Sequence, residues 1–462
     1  MYQVDKNTKL SAELVRKAVQ YNEKRREHYD QLYEYYIGKQ AIMDRQKVSD
    51  IVSNNKLMIN HARYIVKVCT GYLLGTPVSY QANDDEDITA VTDAYKKQSI
   101  DNLDSKIAKD CSIYGHKYEY IYADENAEVK SVELDVRNTI IVYDNTMMHS
   151  KLYGINYRPI YDDPTDNVPD HYEVVVATKG EIIEGTLSGS MTNFTEVSRT
   201  PHYFGAVPFI EYVNNDEMQG DFEPVVSLID AYNLIQSDRV NDREQLVDAI
   251  LLFYGMDFSE KQMDLLKNER ALAGIPEDGK VEYLTKNVSE SDNDVLRQNI
   301  EKDIHKISMV PNMADENFAG NSSGVALRYK LLNFEQLTKD KERYFEKGLM
   351  ERFALYMHFL TVKSTMAQVP IEDVDAIFVR NLPSNDYETS QMINNLLGLV
   401  DKKLLASQLS FVRDADETVE LAEAEAESKP AESEYAEGDF GDQNATPSTT
   451  EPTAAERPNE AA

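Results

Sequence analysis

The apolar residues of this chain change period twice along its length, and that bounds the folds open to it. Up to Tyr114 they recur three and four residues apart, from Lys117 to about Tyr212 they alternate, and from Phe222 the helical spacing returns. A period near 3.6 places apolar side chains on one stripe of a helix, and a period of 2 places them on one face of a strand. The chain is therefore read as mixed α+β and helix-rich, with most of its strands gathered in one stretch between two helical parts. At 462 residues it has room for about two to four domains.

The first helix is expected over Ser11–Tyr36, with Ser11 as N-cap and Gly38 as its end, and a second over about Ile59–Leu74. The stripe Tyr29/Tyr33/Tyr36 has the spacing of core residues rather than of a stacking platform. Thr76–Tyr80 reads as a short strand, and residues 87–114 as two helices. Seven strand-like runs follow: Tyr118–Asp124, Ala127–Leu134, Thr139–Asp144, Leu152–Arg158, Tyr172–Thr178, Gly180–Thr186 and Val207–Val213. Residues 1–212 thus read as one α+β unit.

Phe222–Tyr254 reads as helix again, but its centre, Gln236–Gln245, is almost wholly polar. An apolar start, a polar centre and an apolar end suit a helix wet on more than one side, standing out from the body. Beyond it, 255–291 is a small irregular module with one strand-like run, Lys280–Thr285. Asp292–Met309 is expected as helix, Pro311–Ser322 as loop, and Ser323–Val362 as one long helix; Asp386–Leu399 and Lys402–Leu409 are the last expected helices.

Charge narrows the function. The formal net charge is −33, and Asp414–Ala462 contributes 15 acidic residues against two basic ones. That tail has almost no large aliphatic residues, so it is expected to be disordered after about residue 428. A chain this acidic cannot coat nucleic acid over its whole surface by neutralising phosphates, which requires a basic footprint, so any nucleic-acid role is a local patch or a weak contact.

Cys69 and Cys111 exclude a disulfide framework and a multi-cysteine zinc site; a single disulfide stays open to them, and two buried free thiols of a reducing cytoplasm are the favoured reading. The first residues hold no apolar stretch of signal-peptide type, and no run is long enough to span a bilayer, so no membrane is expected. Phosphate-loop, dinucleotide, nucleophile-elbow, zinc-protease and EF-hand motifs are missing. The eight histidines are dispersed, and His61 and His116 read as structural. The acids Asp84-Asp85-Glu86-Asp87 and Asp162/Asp163/Asp166 fall in polar turns and read as solvated loops rather than cation sites. No cofactor and no catalytic residue is expected.

Several blocks, in order, resemble a known family. They are Tyr36–Lys39, Asn60–Val66 and Gly71–Val78; Val207–Asn215 running into Gly220–Val225, Leu228–Asn233, Ser237-Asp238 and Asn241-Asp242; Gly320–Lys330 with Lys341-Glu342-Arg343; and Asn381–Pro383 with Asp386-Tyr387 and Leu397–Val400. Over about residues 20–415 the chain resembles the portal proteins of tailed double-stranded-DNA bacteriophages, in the branch typical of long-tailed phages of Gram-positive hosts.

The resemblance implies a ring, usually of twelve subunits, at one capsid vertex. Double-stranded DNA enters through it during packaging, driven by terminase, and later leaves by the same route. Terminase, a head-tail adaptor, and capsid and scaffolding proteins are the implied partners, in the virion and in the host cytoplasm during assembly. The implied portal fold has an α+β wing (1–221), a stem helix (222–253), a clip (254–291), a second stem helix (292–309), a tunnel loop (310–322), a long helix returning through the wing (323–384), a crown (385–412) and an acidic tail (413–462). In the tunnel loop, Asn312, Asp315, Glu316, Asn317 and Asn321 would face DNA, with Gly320 and Gly324 as hinges. In the stem, Arg239, Arg243, Arg297, Lys302 and Lys306 would touch the duplex, unless they pair with Asp238, Asp242, Glu301 and Asp303. Neighbouring clips would share β-structure through Lys280–Thr285. The competing readings are another phage head structural or scaffold protein, and a carboxylate metal-dependent hydrolase.

Overall fold

A computed structural model describes residues 1–47, 53–83, 86–163, 165, 168–247, 250–254, 280–284, 290–313, 329–380 and 386–406, and isolated positions up to 424. It divides into two units, Met1–Pro383 and Ser384–Ala462.

Helix α1 (Ala12–Ile37) begins where Ser11 Oγ accepts the Leu14 amide at 3.2 Å. It stops at Gly38, whose φ of +98° turns the chain left-handed while its amide bonds back to Glu34 and Tyr35. A side chain there would meet Met58 Cε at 2.6 Å. Tyr29 is buried and Tyr36 packs against the core, whereas Tyr33 is exposed under the Arg137 guanidinium. The early turns of α1 bury Val15, Ala18 and Val19 against a large sheet.

That sheet has the order β1 (Tyr2–Val4), β5 (Thr139–Asp144), β6 (Lys151–Ile160), β7 (His171–Ala177), β8 (Glu181–Ser188) and β9 (Phe194–Pro201). Only the β1–β5 pairing is parallel; the other neighbours form an antiparallel meander. A smaller antiparallel sheet has the order β10 (Phe209–Val213), β3 (His116–Ala123) and β4 (Val129–Leu134). Helices α2 (His61–Leu74), α3 (Thr89–Gln98) and α4 (Ile100–Tyr114) pack beside it. The long helix α7 (Leu332–Val362) crosses β10, with Gly348 against the Tyr212 ring.

Three strands form where no element was expected, and a fourth where helix was. β1 has three residues, β9 is a mostly exposed edge with little alternation, and β13 (Val374–Ile377) forms only by pairing with β2 (Ser79–Ala82), far away in sequence. The helical reading of Phe222–Tyr254 runs too far. Helix α5 (Val226–Val247) stops, and Ile250–Tyr254 is strand β11, antiparallel to β12 (Lys280–Leu284). A five-residue run of large apolar side chains has the length of a strand, and periodicity alone cannot separate it from buried helix. Helix α6 (Glu290–Ser308) returns as expected. Of the long helix, positions 323–328 lie outside the described residues, as do the tail beyond 424 and Asp84, Asp85 and Asp166. Asp87 accepts the Thr89 amide, and Asp163 accepts both the amide and the hydroxyl of Thr165.

Cys69 and Cys111 are free and buried, and burial pushes both thiols up. In the second unit, α8 (Asp386–Leu396) and α9 (Lys402–Ala406) lie within the two expected helical stretches. Among the described residues no helix is long and apolar enough to cross a membrane.

Candidate channel helices and loop root

Helices α5 and α6 run antiparallel. Tyr232 meets Arg297 and Glu301 near the body, and Arg239 meets Asp294 further out. Beyond their far ends the chain forms the β11–β12 ribbon. The near ends are rooted in the core by Phe222, Val225, Ile229, Tyr232 and Ile304, all buried.

The polar centre of α5 is not simply a wet surface. Asn233, Ser237 and Asn241 lie four residues apart on one face, and all three are buried. Their side-chain oxygens accept the amides of Ile59, Leu57 and Asn55 at 2.8, 2.9 and 2.7 Å. Four helical residues advance about 6 Å, and two residues of extended chain about 6.6 Å. Side chains at i, i+4 and i+8 of a helix can therefore serve alternate amides of a neighbouring segment. Gln40 joins the ladder by accepting Asn233 Nδ2 at 2.6 Å, Asn55 Nδ2 donates to Glu244 at 2.7 Å, and Arg45 pairs with Asp238 at 2.7 Å. Sequence reading saw the polarity and missed the partner, because segment 55–59 carries no periodic signal of its own.

The five cations expected in the stem do not behave alike. Arg297 is committed within the helix pair, to Asp294 at 3.1 Å and Glu301 at 2.8 Å. Arg239 contacts Asp294 loosely at 3.8 Å and Gln236 at 3.3 Å. Arg243, Lys302 and Lys306 are exposed, and the two lysines make no ion pair among the described residues. Of the expected partners, Asp238 is taken by Arg45 and Glu301 by Arg297. From the loop, Asn312 donates to Glu301 at 3.2 Å. Asp315, Glu316, Asn317, Gly320, Asn321 and Gly324 lie outside the described residues.

A sequence profile described as "Phage portal protein, SPP1 Gp6-like" matches residues 17–431, most of the chain. The chain belongs to this phage portal protein family. It is 24% identical to the portal protein of Bacillus phage SPP1 over 401 residues, covering 83% of this chain and 78% of that one. It is 22% identical to the portal protein of Clostridium phage phiCD119 over 446 residues, covering 89% and 95%. Membership makes this a phage portal protein: a structural virion component that works as an oligomeric ring with capsid and terminase proteins.

In this portal chain the long helix α7 is locked by two buried cations. Lys341 bonds to Asp221 and to Ser112 Oγ at 3.0 Å. Burial works against its charge, yet Asp221 holds the ammonium above its ordinary value. Arg352, fully buried, donates Nε to both oxygens of Glu119 at 2.9 and 3.0 Å and Nη1 to Asp104 at 2.6 Å. Tyr212 also donates to Glu119, at 2.6 Å. Burial pushes Asp104 up to about 6 against the pull of Arg352. These bonds tie α7 to α4, to β3 and to the turn before α5, so the helix after the loop and the helices before it share one frame.

Proposed function

We propose that this chain closes into a ring of twelve at one capsid vertex, and that double-stranded DNA passes through its centre in packaging and in ejection. The wing is 1–221, the stem is α5 and α6, and the clip is the β11–β12 module. The tunnel loop starts at Val310, the long helix follows, 385–412 is the crown, and the acidic tail completes the chain. The antiparallel helix pair that ends in a β-ribbon carries this reading. It presents Leu234, Val295, Leu296 and Ile307, each about half exposed, on a single subunit. Apolar side chains on a projecting pair suit burial against neighbouring copies in a head-to-tail ring, which needs two different surfaces per subunit. In that ring the clip ribbons pair edge to edge between neighbours through Lys280–Leu284.

DNA must move without sticking. Each phosphate neutralised adds affinity and salt-dependent drag, so a largely acidic wall with few cations lets the duplex slide. Lys302 and Lys306 are the first candidates to touch it, Arg243 and Arg239 are further candidates, and Arg297 serves the helix pair itself. In the tunnel loop, Asn312, Asp315, Glu316, Asn317 and Asn321 contact DNA sterically or by hydrogen bonds, with Gly320 and Gly324 as hinges. Terminase and a head-tail adaptor dock on the assembled ring, scaffolding protein acts during assembly in the host cytoplasm, and no membrane takes part.

The double change Lys302→Glu/Lys306→Glu tests the channel assignment. Rings of unchanged mass with altered DNA packaging support it. Failure to form rings would move both lysines to a subunit interface, and normal packaging would remove them from the DNA path.

A further inference from the structure

Helix α6 ends at Ser308, and Met309 follows with φ +58°, a left-handed backbone that an L side chain adopts at a cost of about 1 kcal/mol. The four residues after it are each gripped by a side chain. His305 Nδ1 meets the Val310 carbonyl at 2.9 Å, and since a carbonyl can only accept, Nδ1 carries the proton. The Tyr64 hydroxyl donates to the Pro311 carbonyl at 3.0 Å and accepts the Met313 amide at 2.9 Å. Asn312 donates to Glu301 at 3.2 Å.

Of these grips, only Tyr64 comes from outside α6. It lies some 250 residues earlier, on α2, which is fixed by buried Ile65, Val66 and Cys69 and capped by Asn60, whose side chain accepts the Arg63 amide at 2.9 Å. The Tyr64 ring also stands edge-on to His305, with centroids 5.7 Å apart at 90°. One hydroxyl thus serves as donor and acceptor to residues two apart. Pro311 between the grips has its φ fixed by its ring.

We propose that Tyr64 is a positioning residue for DNA translocation: its hydroxyl fixes the direction in which the chain leaves the stem at Val310–Met313. The proposal rests on reading that segment as the start of the tunnel loop. A root held from both α6 and α2 moves with the wing as well as with the stem. Whatever the following residues do against DNA is therefore referred to both.

Tyr64→Phe keeps the ring and its contact with His305 but removes both hydrogen bonds. The variant is tested as assembled rings, by hydrogen exchange, and in phage particles that depend on it, by DNA content per head. Tyr33→Phe, at an exposed site, is the control. Ring mass is expected to be unchanged, the Met313 amide to exchange roughly tenfold faster, and packaged DNA to fall several-fold, with the control like wild type. Unchanged exchange at Met313 would overturn the clamp. Faster exchange with normal packaging would overturn the positioning role, and failure to form rings would make Tyr64 merely structural. Gly324→Pro separates this from the loop reading. If that variant also packages normally, the tunnel-loop assignment fails; if it is impaired while Tyr64→Phe is normal, only the role of Tyr64 fails.

Discussion

Arg352 and His116 show how much single residues decide in this fold. Removing one partner of a buried ion pair leaves the others charged and unpaired, which costs about 3–5 kcal/mol. Arg352→Met should therefore destabilise by that order in urea unfolding, and adding Glu119→Gln and Asp104→Asn should recover much of it. A single variant as stable as wild type would contradict the locking role. His116 is buried, with Nε2 3.2 Å from the Tyr29 hydroxyl, and burial holds it down to about 4. An unfolded histidine titrates near 6.5, so the neutral ring contributes stability above that pH. That contribution is lost as pH falls from about 6.5 toward 4. His116→Gln should flatten the pH dependence of unfolding in that window by up to about 1.4 kcal/mol per pH unit; equal slopes would contradict the assignment. Sequence placed His116 among structural residues because no second ligand or base stood at a fixed spacing. It gave no sign of Arg352, since a cation in a long helix reads as a solvated face until Asp104 and Glu119 are brought to it from 248 and 233 residues away.

At the scale of elements, close packing outweighs propensity. Alanine favours a helix over glycine by about 1 kcal/mol, yet a Cβ on Gly348 would press into the Tyr212 ring, which its bond to Glu119 keeps from moving aside. Gly348→Ala should therefore lower stability by about 1–3 kcal/mol, and a gain in melting temperature would contradict this packing. In the ladder beside α5, Ser237→Ala should cost about 0.5–1.5 kcal/mol and speed exchange of the Leu57 amide; an unchanged Leu57 rate would refute that bond. The helices with long periodic faces were readable from residue order: α1 between its caps Ser11 and Gly38, α2 from about Ile59, α6 to within a residue of its end at Ser308. The elements that misled owe their form to distant partners. β13 exists through β2, the Ile250–Tyr254 run is strand through Lys280–Leu284, and the polar face of α5 is buried because residues 55–59 lie against it.

For the whole molecule, the negative charge first set against nucleic acid takes on a role. About −13 of the −33 lies in Asp414–Ala462, and in the proposed ring the rest would make an anionic wall past which a duplex could slide. Family membership was legible in the ordered blocks from Tyr36 to Val400, whereas the partners of Asp238 and Glu301 were not, because Arg45 and Arg297 claim them only once folded. The most direct measurement is the mass and symmetry of the purified protein by electron microscopy and mass photometry. Twelve chains of 52.7 kDa should give a closed cyclic ring of roughly 0.6 MDa with a central channel lined by α5 and α6. A monomer, an open filament, or a ring whose helix pair points away from the axis would contradict the account.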